Sequence, residues 1–114
     1  MLAAIVAAAQ CQARSVGPGS LNRGGTTGAT CLVRAYDDGC RPAAYTLSMF
    51  GVDTIRSETF RTQATSGGCQ IAVTASFRVV PQAPHTTGRS ICLRVRKLVL
   101  DRCTPAATIP LTKF

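Results

Sequence analysis

The stretch Gln70–Val80, QIAVTASFRVV, decides the fold class of this chain. Its apolar side chains recur at every second position, at Ile71, Val73, Ala75, Phe77 and Val79. A strand projects alternate side chains to the same face, whereas a helix distributes them around its circumference. The stretch therefore predicts a long β-strand with one face against a hydrophobic core.

Two further strands are predicted on the N-terminal side. Ala44–Phe50 (AYTLSMF) alternates in the same way, with Tyr45, Leu47 and Met49 on one face. Thr54–Ala64 (TIRSETFRTQA) holds β-branched and aromatic residues among many polar ones. That mixture is typical of a solvent-exposed or edge strand.

A fourth strand is predicted on the C-terminal side, after a loop that holds Pro81, Pro84 and Gly88. In Arg89–Leu100 (RSICLRVRKLVL) the alternation runs from Ile91 to Val95 and then shifts by one residue. A β-bulge that changes the register is the preferred explanation of the shift, and a helical end is the alternative.

Cys31–Tyr36 (CLVRAY) is predicted as the first strand, closed by a turn at Asp37-Asp38-Gly39. With five strands and no convincing helix after residue 30, we expect an all-β fold. Its architecture is predicted as a small antiparallel sandwich or a partly open barrel, stabilised by disulfides.

The N-terminal region predicts export. Met1–Ala9 (MLAAIVAAA) is far shorter than the roughly 20 apolar residues of a transmembrane span. It matches the apolar core of a secretory signal but lacks the preceding basic residues, so a retained assembly helix is the alternative. The predicted organisation is an apolar segment (1–13), a Gly/Ser/Thr-rich linker (14–30), a β domain (31–103) and an extended surface tail (104–114).

Six cysteines in 114 residues, without a CxxC pair, favour disulfides over a zinc site. The predicted compartment is therefore extracellular or periplasmic. If Pro81–Gly88 closes a hairpin in which Val79 faces Ile91, Cys69 comes close to Cys103, and we predict that bond. Cys31 and Cys40 pair with each other or reach Cys92 and Cys11, and the sequence does not choose.

Catalysis has no support in the sequence. The single histidine, His85, lies in a loop rich in proline, and no GxSxG motif accompanies it. Asp37 and Asp38 are neighbours and suit a turn better than a catalytic pair. Neither a phosphate-binding loop nor a calcium loop is present in the sequence. We expect a protein that is not an enzyme and needs no cofactor or metal.

The charge balance indicates an acidic partner. Thirteen Lys and Arg against five Asp and Glu give a formal net charge of +8, which attracts anionic surfaces. The predicted anion-binding residues are concentrated on the last strand, with one contributed by the neighbouring strand: Arg78, Arg89, Arg94, Arg96, Lys97 and Arg102. Aromatic residues make up only 5% of the chain, and none lies between these arginines to stack on bases.

Three functions are compatible with these features. The preferred hypothesis is a secreted, non-catalytic binding module that contacts a glycan, a nucleic acid or an acidic protein. The alternative is a structural subunit of an extracellular filament, coat or virus-like particle, assembled as a homo-oligomer through sheet edges and the N-terminal segment. A third hypothesis is an inhibitor-like domain that presents the Pro81–Gly88 loop.

Overall fold

The structure is a computed structural model that describes residues 8–18 and 22–114. The chain forms one helix, α1, and eight strands in the described part, in the following order: β1 Ala9–Gln10, β2 Arg14–Val16, α1 Thr27–Asp37, β3 Ala43–Phe50, β4 Thr54–Thr65, β5 Gly68–Val79, β6 His85–Arg96, β7 Val99–Thr104 and β8 Ile109–Pro110. The fold is mostly β, as predicted, and carries three disulfides. Its eight strands form a single sheet that does not close, so the five-stranded sandwich or barrel is not confirmed.

The sheet is an antiparallel meander with a parallel edge. Strands β3 to β8 follow one another in sequence order, each antiparallel to the last. Strands β1 and β2 both run parallel to β3 along its other side. Parallel neighbours need a crossover connection, and α1 lies in that connection between β2 and β3.

The first predicted strand, Cys31–Tyr36, is wrong, because it is the second half of α1. Gly28, Ala29, Leu32 and Ala35 are buried at helical spacing. A window that begins at Cys31 contains only half of this pattern and therefore resembles a short strand. The predicted linker, residues 14–30, includes β2 and the first turn of α1.

The central strands are confirmed. On β5, Ile71 and Val73 are buried and face the same side as the buried Phe60 of β4. Tyr45 and Leu47 of β3 are also buried on that side. The edge position, one of the two alternatives predicted for Thr54–Ala64, is wrong, since β4 pairs with both β3 and β5. Polar residues occur on β4 although it is a central strand of the sheet, because only one face of the sheet is covered.

The hairpin between β5 and β6 has another register than predicted. Phe77 pairs with His85 and Ile71 with Cys92, so Val79 does not face Ile91. The error arises because β6 begins at His85, inside the segment that proline and glycine had marked as a loop. A bulge interrupts this hairpin between Ala75 and Ser76.

The shift of alternation after Val95 comes from a hairpin turn, and the predicted bulge there is wrong. Strand β6 ends at Arg96, which pairs with Val99 at the start of β7. The two residues between them, Lys97 and Leu98, have φ values of 51° and 61°. Two consecutive left-handed residues between paired strands are the geometry of a type I′ turn.

The core lies between α1, the sheet and the C-terminal tail. The predicted extended surface tail is wrong for residues 109–111, because β8 pairs with β7 and Leu111 is completely buried. The Tyr45 hydroxyl donates to the Leu111 carbonyl at 2.6 Å, and Arg14 Nε donates to the Thr112 carbonyl at 2.8 Å. The tail therefore reaches back to β2 and β3 at the opposite edge. We call the side that faces α1 and the tail the inner face, and the opposite side the outer face.

All six cysteines form disulfides: Cys11–Cys31, Cys40–Cys69 and Cys92–Cys103. The predicted Cys69–Cys103 bond is wrong, because it depended on the incorrect hairpin register. Of the open alternatives, pairing of Cys31 with Cys11 is confirmed, whereas those for Cys40 are wrong, because Cys40 pairs with Cys69. The first bond joins the N-terminal strands to α1, the second joins the segment after α1 to the start of β5, and the third links β6 to β7.

Candidate anion-binding face

The outer face is built from short hydroxyl side chains in rows across the strands. One row is Thr46, Thr59 and Thr74, ending at Arg89 on β6. The next row, two residues along each strand, consists of Ser48, Ser57, Ser76 and Thr86. The hydroxyls of Ser48 and Ser57 lie 2.9 Å apart and share a hydrogen bond. This face can therefore donate many hydrogen bonds to oxygen atoms of a ligand.

Three arginines stand among these hydroxyls. Arg89 ends the threonine row, Arg61 pairs with Ala72 in the row beyond it, and Arg78 pairs with Ile55 at the far end of β5. The registers place the Cα atoms of Arg61 and Arg89 about 12 Å apart, two strands and two residues away from each other. Arg61 was missed in the sequence, although it alternates with the buried Phe60. The prediction of a solvent-exposed or edge strand for Thr54–Ala64 does not single out this residue.

The remaining predicted cations lie on the β6–β7 hairpin. Cys92, Val95 and Leu100 pack in the core, whereas Leu93 is 55% exposed and Arg102 has a φ of 52°. The alternation of inward and outward side chains therefore breaks once on β6 and once on β7. At each break, two consecutive side chains face outward. As a result Arg94, Arg96 and Arg102 project outward together. We call Arg94, Arg96, Lys97 and Arg102 the basic hairpin.

The one carboxylate beside these residues is Asp101, and Arg94 binds it with two hydrogen bonds. Arg94 Nε lies 2.7 Å from Oδ1, and Arg94 Nη2 lies 2.5 Å from Oδ2. The hydrogen bond from Arg94 lowers the pKa of Asp101, and the positive charges of Arg96 and Arg102 lower it further. The same bond raises the pKa of Arg94. Arg94 is thus already paired, while Arg96, Lys97 and Arg102 are exposed and take part in neither ion pair of the described residues.

The predicted set of six cations consequently falls into separate groups. Arg78, the cation predicted from the neighbouring strand, lies beyond the last β5–β6 pair and away from the others. Arg94 lies nine positions along β6 from His85 of that pair, which corresponds to about 30 Å. Arg89 lies between the two groups on the same face. The structure therefore brings four of the six residues together on the basic hairpin.

The inner face holds a cleft between the C-terminal tail, the first half of β4 and the second half of β5. Its volume is about 450 Å³, and its lining includes Arg56, Glu58, Phe77, Lys113 and Phe114. The Arg56 guanidinium stacks on the Phe114 ring, 5.3 Å from its centre. Burial raises the pKa of Glu58, and the nearby Arg56 partly offsets the increase. No signal in the sequence had indicated this cleft, because the tail had been expected on the surface.

His85 is exposed at the start of β6, and its ring contacts Phe77 edge-on with centres 6.0 Å apart. Among residues 8–18 and 22–114, no three His, Cys, Asp or Glu side chains cluster in a way that could hold a metal ion. The helix in this part of the chain is too short and too polar to cross a membrane.

Comparison with known proteins gives no match: neither a family model, nor a curated protein, nor a solved structure is similar to this chain.

Proposed function

We propose that this chain is an exported, non-catalytic module that binds an acidic surface, whether of a glycan, a nucleic acid or a protein, through the basic hairpin and Arg89. The observation that carries the proposal is the state of Asp101. Asp101 is the sole outward-facing carboxylate on strands β3 to β7, and Arg94 already binds both of its oxygens. Three exposed cations beside it are thus available to a ligand.

The side chains around the hairpin favour binding through anionic groups. Arginine suits planar recognition of phosphate, sulfate or carboxylate, and Arg96, Lys97 and Arg102 project from one short hairpin. Threonine and serine of the outer face supply further donors. No Phe, Tyr or Trp side chain lies within β6 or β7 to stack on bases, so we expect contact with the backbone of a polyanion rather than readout of its sequence.

The disulfides support export. Three such bonds in a short chain are characteristic of proteins that fold in an oxidising compartment. An exported protein meets acidic glycans and acidic proteins, and it meets nucleic acid only outside the cell or inside a particle. The export part of the proposal is tested by the N-terminus and the thiol content of the native protein, which intact mass with and without alkylation measures together.

Binding is tested with the double variant Arg96→Gln/Lys97→Gln and immobilised heparin, alongside a single-stranded oligonucleotide as the second probe. Because two exposed ionic contacts contribute about 0.5–1 kcal/mol each, we expect affinity to fall about tenfold. The salt dependence should also become shallower, since fewer counterions are released. The matched control is Arg23→Gln/Arg34→Gln, which removes the same charge from exposed positions outside the hairpin. Equal losses in the two variants would refute a specific site.

A second candidate, the assembly subunit, is favoured by an exposed apolar tip. The β3–β4 and β5–β6 turns meet at one end of the sheet, where Val80 N–H donates to the Asp53 carbonyl at 2.8 Å. Val52 there is fully exposed, and Val79 and Val80 are 39% and 46% exposed. Apolar groups in water favour association. Sedimentation should then show oligomers that Val52→Ser/Val80→Ser dissociates, and a monomer at all concentrations would exclude this function. The predicted role of the N-terminal segment lies largely outside the described residues.

A further inference from the structure

Half of β6 has an unpaired edge. The strand spans His85–Arg96, but β7 pairs only with its second half, because the ladder ends at Ile91 opposite Thr104. Pro105 follows Thr104 and has no N–H for a further ladder bond. Within residues 8–18 and 22–114, no strand pairs with the edge of His85–Ser90 that points away from β5. About 20 Å of strand edge is therefore open.

This edge borders the inner cleft. Thr87 of β6 contributes to the cleft lining, together with Phe77 on β5 and Phe114 at the end of the tail. Gly88 pairs with Ala75 and lies on the inner face, and a Cβ at Gly88 would have no atom within 4 Å. An added strand would therefore have room for large apolar side chains on its inner side.

The charges around the edge select an acidic occupant. Arg89 projects from this edge on the outer face, and Arg56 and Lys113 line the cleft on the inner face. Glu58 is the single carboxylate side chain among the residues that line the cleft, and the two cations there outnumber it. A second copy of this chain would bring another net charge of +8, which opposes association of two such edges.

We infer that the open edge His85–Ser90 and the adjoining cleft form a docking site for an extended, acidic segment of another protein, which adds a strand to the sheet. Main-chain hydrogen bonds to β6 would supply affinity, and alternate side chains would supply specificity. Apolar residues of that segment face inward above Gly88, toward Phe77 and Phe114. Its acidic residues face outward, beside Arg89. This site shares Arg89 with the proposed function but lies apart from the basic hairpin, and strand addition at the edge does not depend on that function.

The test uses a blocked octapeptide of alternating valine and glutamate, titrated by calorimetry into the full chain. Successive N–H groups of an extended peptide point to opposite sides, so methyl groups on alternate nitrogens block pairing along one edge alone. We expect one methylation pattern to weaken binding at least tenfold and the complementary pattern to change it less than twofold. An octapeptide of the same composition, with four valines followed by four glutamates, should bind at least tenfold more weakly. Equal effects of both methylation patterns, or equal binding of the block peptide, would overturn the proposal.

Two protein variants locate the binding. Gly88→Val fills the space on the inner side in a residue type that strands favour, so we expect a folded protein that loses peptide affinity at least tenfold. Arg96→Gln/Lys97→Gln should retain peptide affinity within twofold while its heparin affinity falls, which separates this site from the proposed one. Unchanged affinity in Gly88→Val would contradict the inference. So would a dimer in sedimentation that Gly88→Val dissociates, because the occupant of the edge would then be a second copy.

Discussion

Gly28 is a residue whose small size the packing of α1 requires. A Cβ at this position would overlap the backbone carbonyl oxygen of Gln12 and would lie 2.8 Å from Tyr45 Cδ1. The Gln12 carbonyl belongs to the segment beside Cys11, which a disulfide joins to α1, so it cannot move away easily. Glycine in a helix is ordinarily less stable than alanine by about 1 kcal/mol. Here the steric overlap outweighs that gain.

We therefore predict that Gly28→Ala lowers the free energy of unfolding by about 1–3 kcal/mol, the usual cost of overpacking. Urea denaturation followed by circular dichroism measures the change. The matched control is Gly67→Ala, because a Cβ at Gly67 would meet no atom within 4 Å, and its stability should change by less than about 0.5 kcal/mol. A neutral Gly28→Ala would show that α1 does not pack closely on the N-terminal strands.

Tyr45 couples the core to the tail through a buried hydroxyl. It is 1% exposed, and its hydroxyl donates to the Leu111 carbonyl. Burial raises the pKa of Tyr45 to about 12. A raised pKa means that the folded state retains the proton more tightly than the unfolded state. The stability from this proton is fully present below pH 10 and is lost as the pH rises toward 12.

At pH 7, Tyr45→Phe should lower the free energy of unfolding by about 1–2 kcal/mol, because the Leu111 carbonyl loses its buried donor. Above pH 10 the difference between the two proteins should narrow, since only the protein with Tyr45 loses stability by ionisation of this residue. Urea denaturation at pH 7, 9 and 11 measures both effects. A difference that stays constant between pH 9 and 11 would contradict the raised pKa.

At the scale of elements, the β6–β7 turn contains an unfavourable residue. Lys97 has a φ of 51° and is exposed, and side chains other than those of glycine, asparagine and aspartate seldom adopt this conformation. Leu98 shares the conformation, but it packs against the core and its carbonyl accepts the Leu111 N–H. In the part of the chain that the structure describes, Lys97 takes part in neither ion pair, so no such contact offsets its conformation.

Lys97→Asn should accordingly raise the free energy of unfolding by about 0.5–1 kcal/mol, because asparagine is preferred at the first position of a type I′ turn. The control is Lys113→Asn, which removes the same charge from an exposed position for which no positive φ is found. Thermal denaturation of both variants separates the conformational effect from the loss of charge. An equal change in the two proteins would mean that the turn stores no such strain.

The elements that could be predicted are those in which apolar residues recur regularly over many consecutive positions. Strand β5 was predicted because its alternation persists over five inward positions, and burial of Ile71 and Val73 confirms it. Helix α1 was missed because its sequence, TGATCLVRAYD, holds several weak helix formers, and its stability comes from packing on the sheet. The disulfide partners and the approach of Arg61 to Arg89 depend on strand register, which a change of a few residues in one loop alters.

At the scale of the whole molecule, covalent links compensate for a small core. The buried apolar side chains come from α1, the strands and Leu111, and they form one cluster. Three disulfides with sequence separations of 20, 29 and 11 residues bind these parts together. In the chain-entropy description each loop of this size contributes about 3 kcal/mol. Together they approach the entire stability of a small domain, about 5–15 kcal/mol.

Reduction should therefore unfold the protein, and it should do so in steps. Cys40 and Cys69 are both partly exposed, whereas Cys11, Cys92 and Cys103 are buried, so a mild reductant reaches the Cys40–Cys69 bond first. We expect partial reduction, alkylation and peptide mass mapping to label Cys40 and Cys69 before the others, with the strand content retained in circular dichroism. The variant Cys40→Ala/Cys69→Ala should remain folded but lose about 3.5 kcal/mol, since this bond closes the largest loop. Early labelling of Cys92 or Cys103 would instead show that the β6–β7 hairpin opens more readily than the connection after α1.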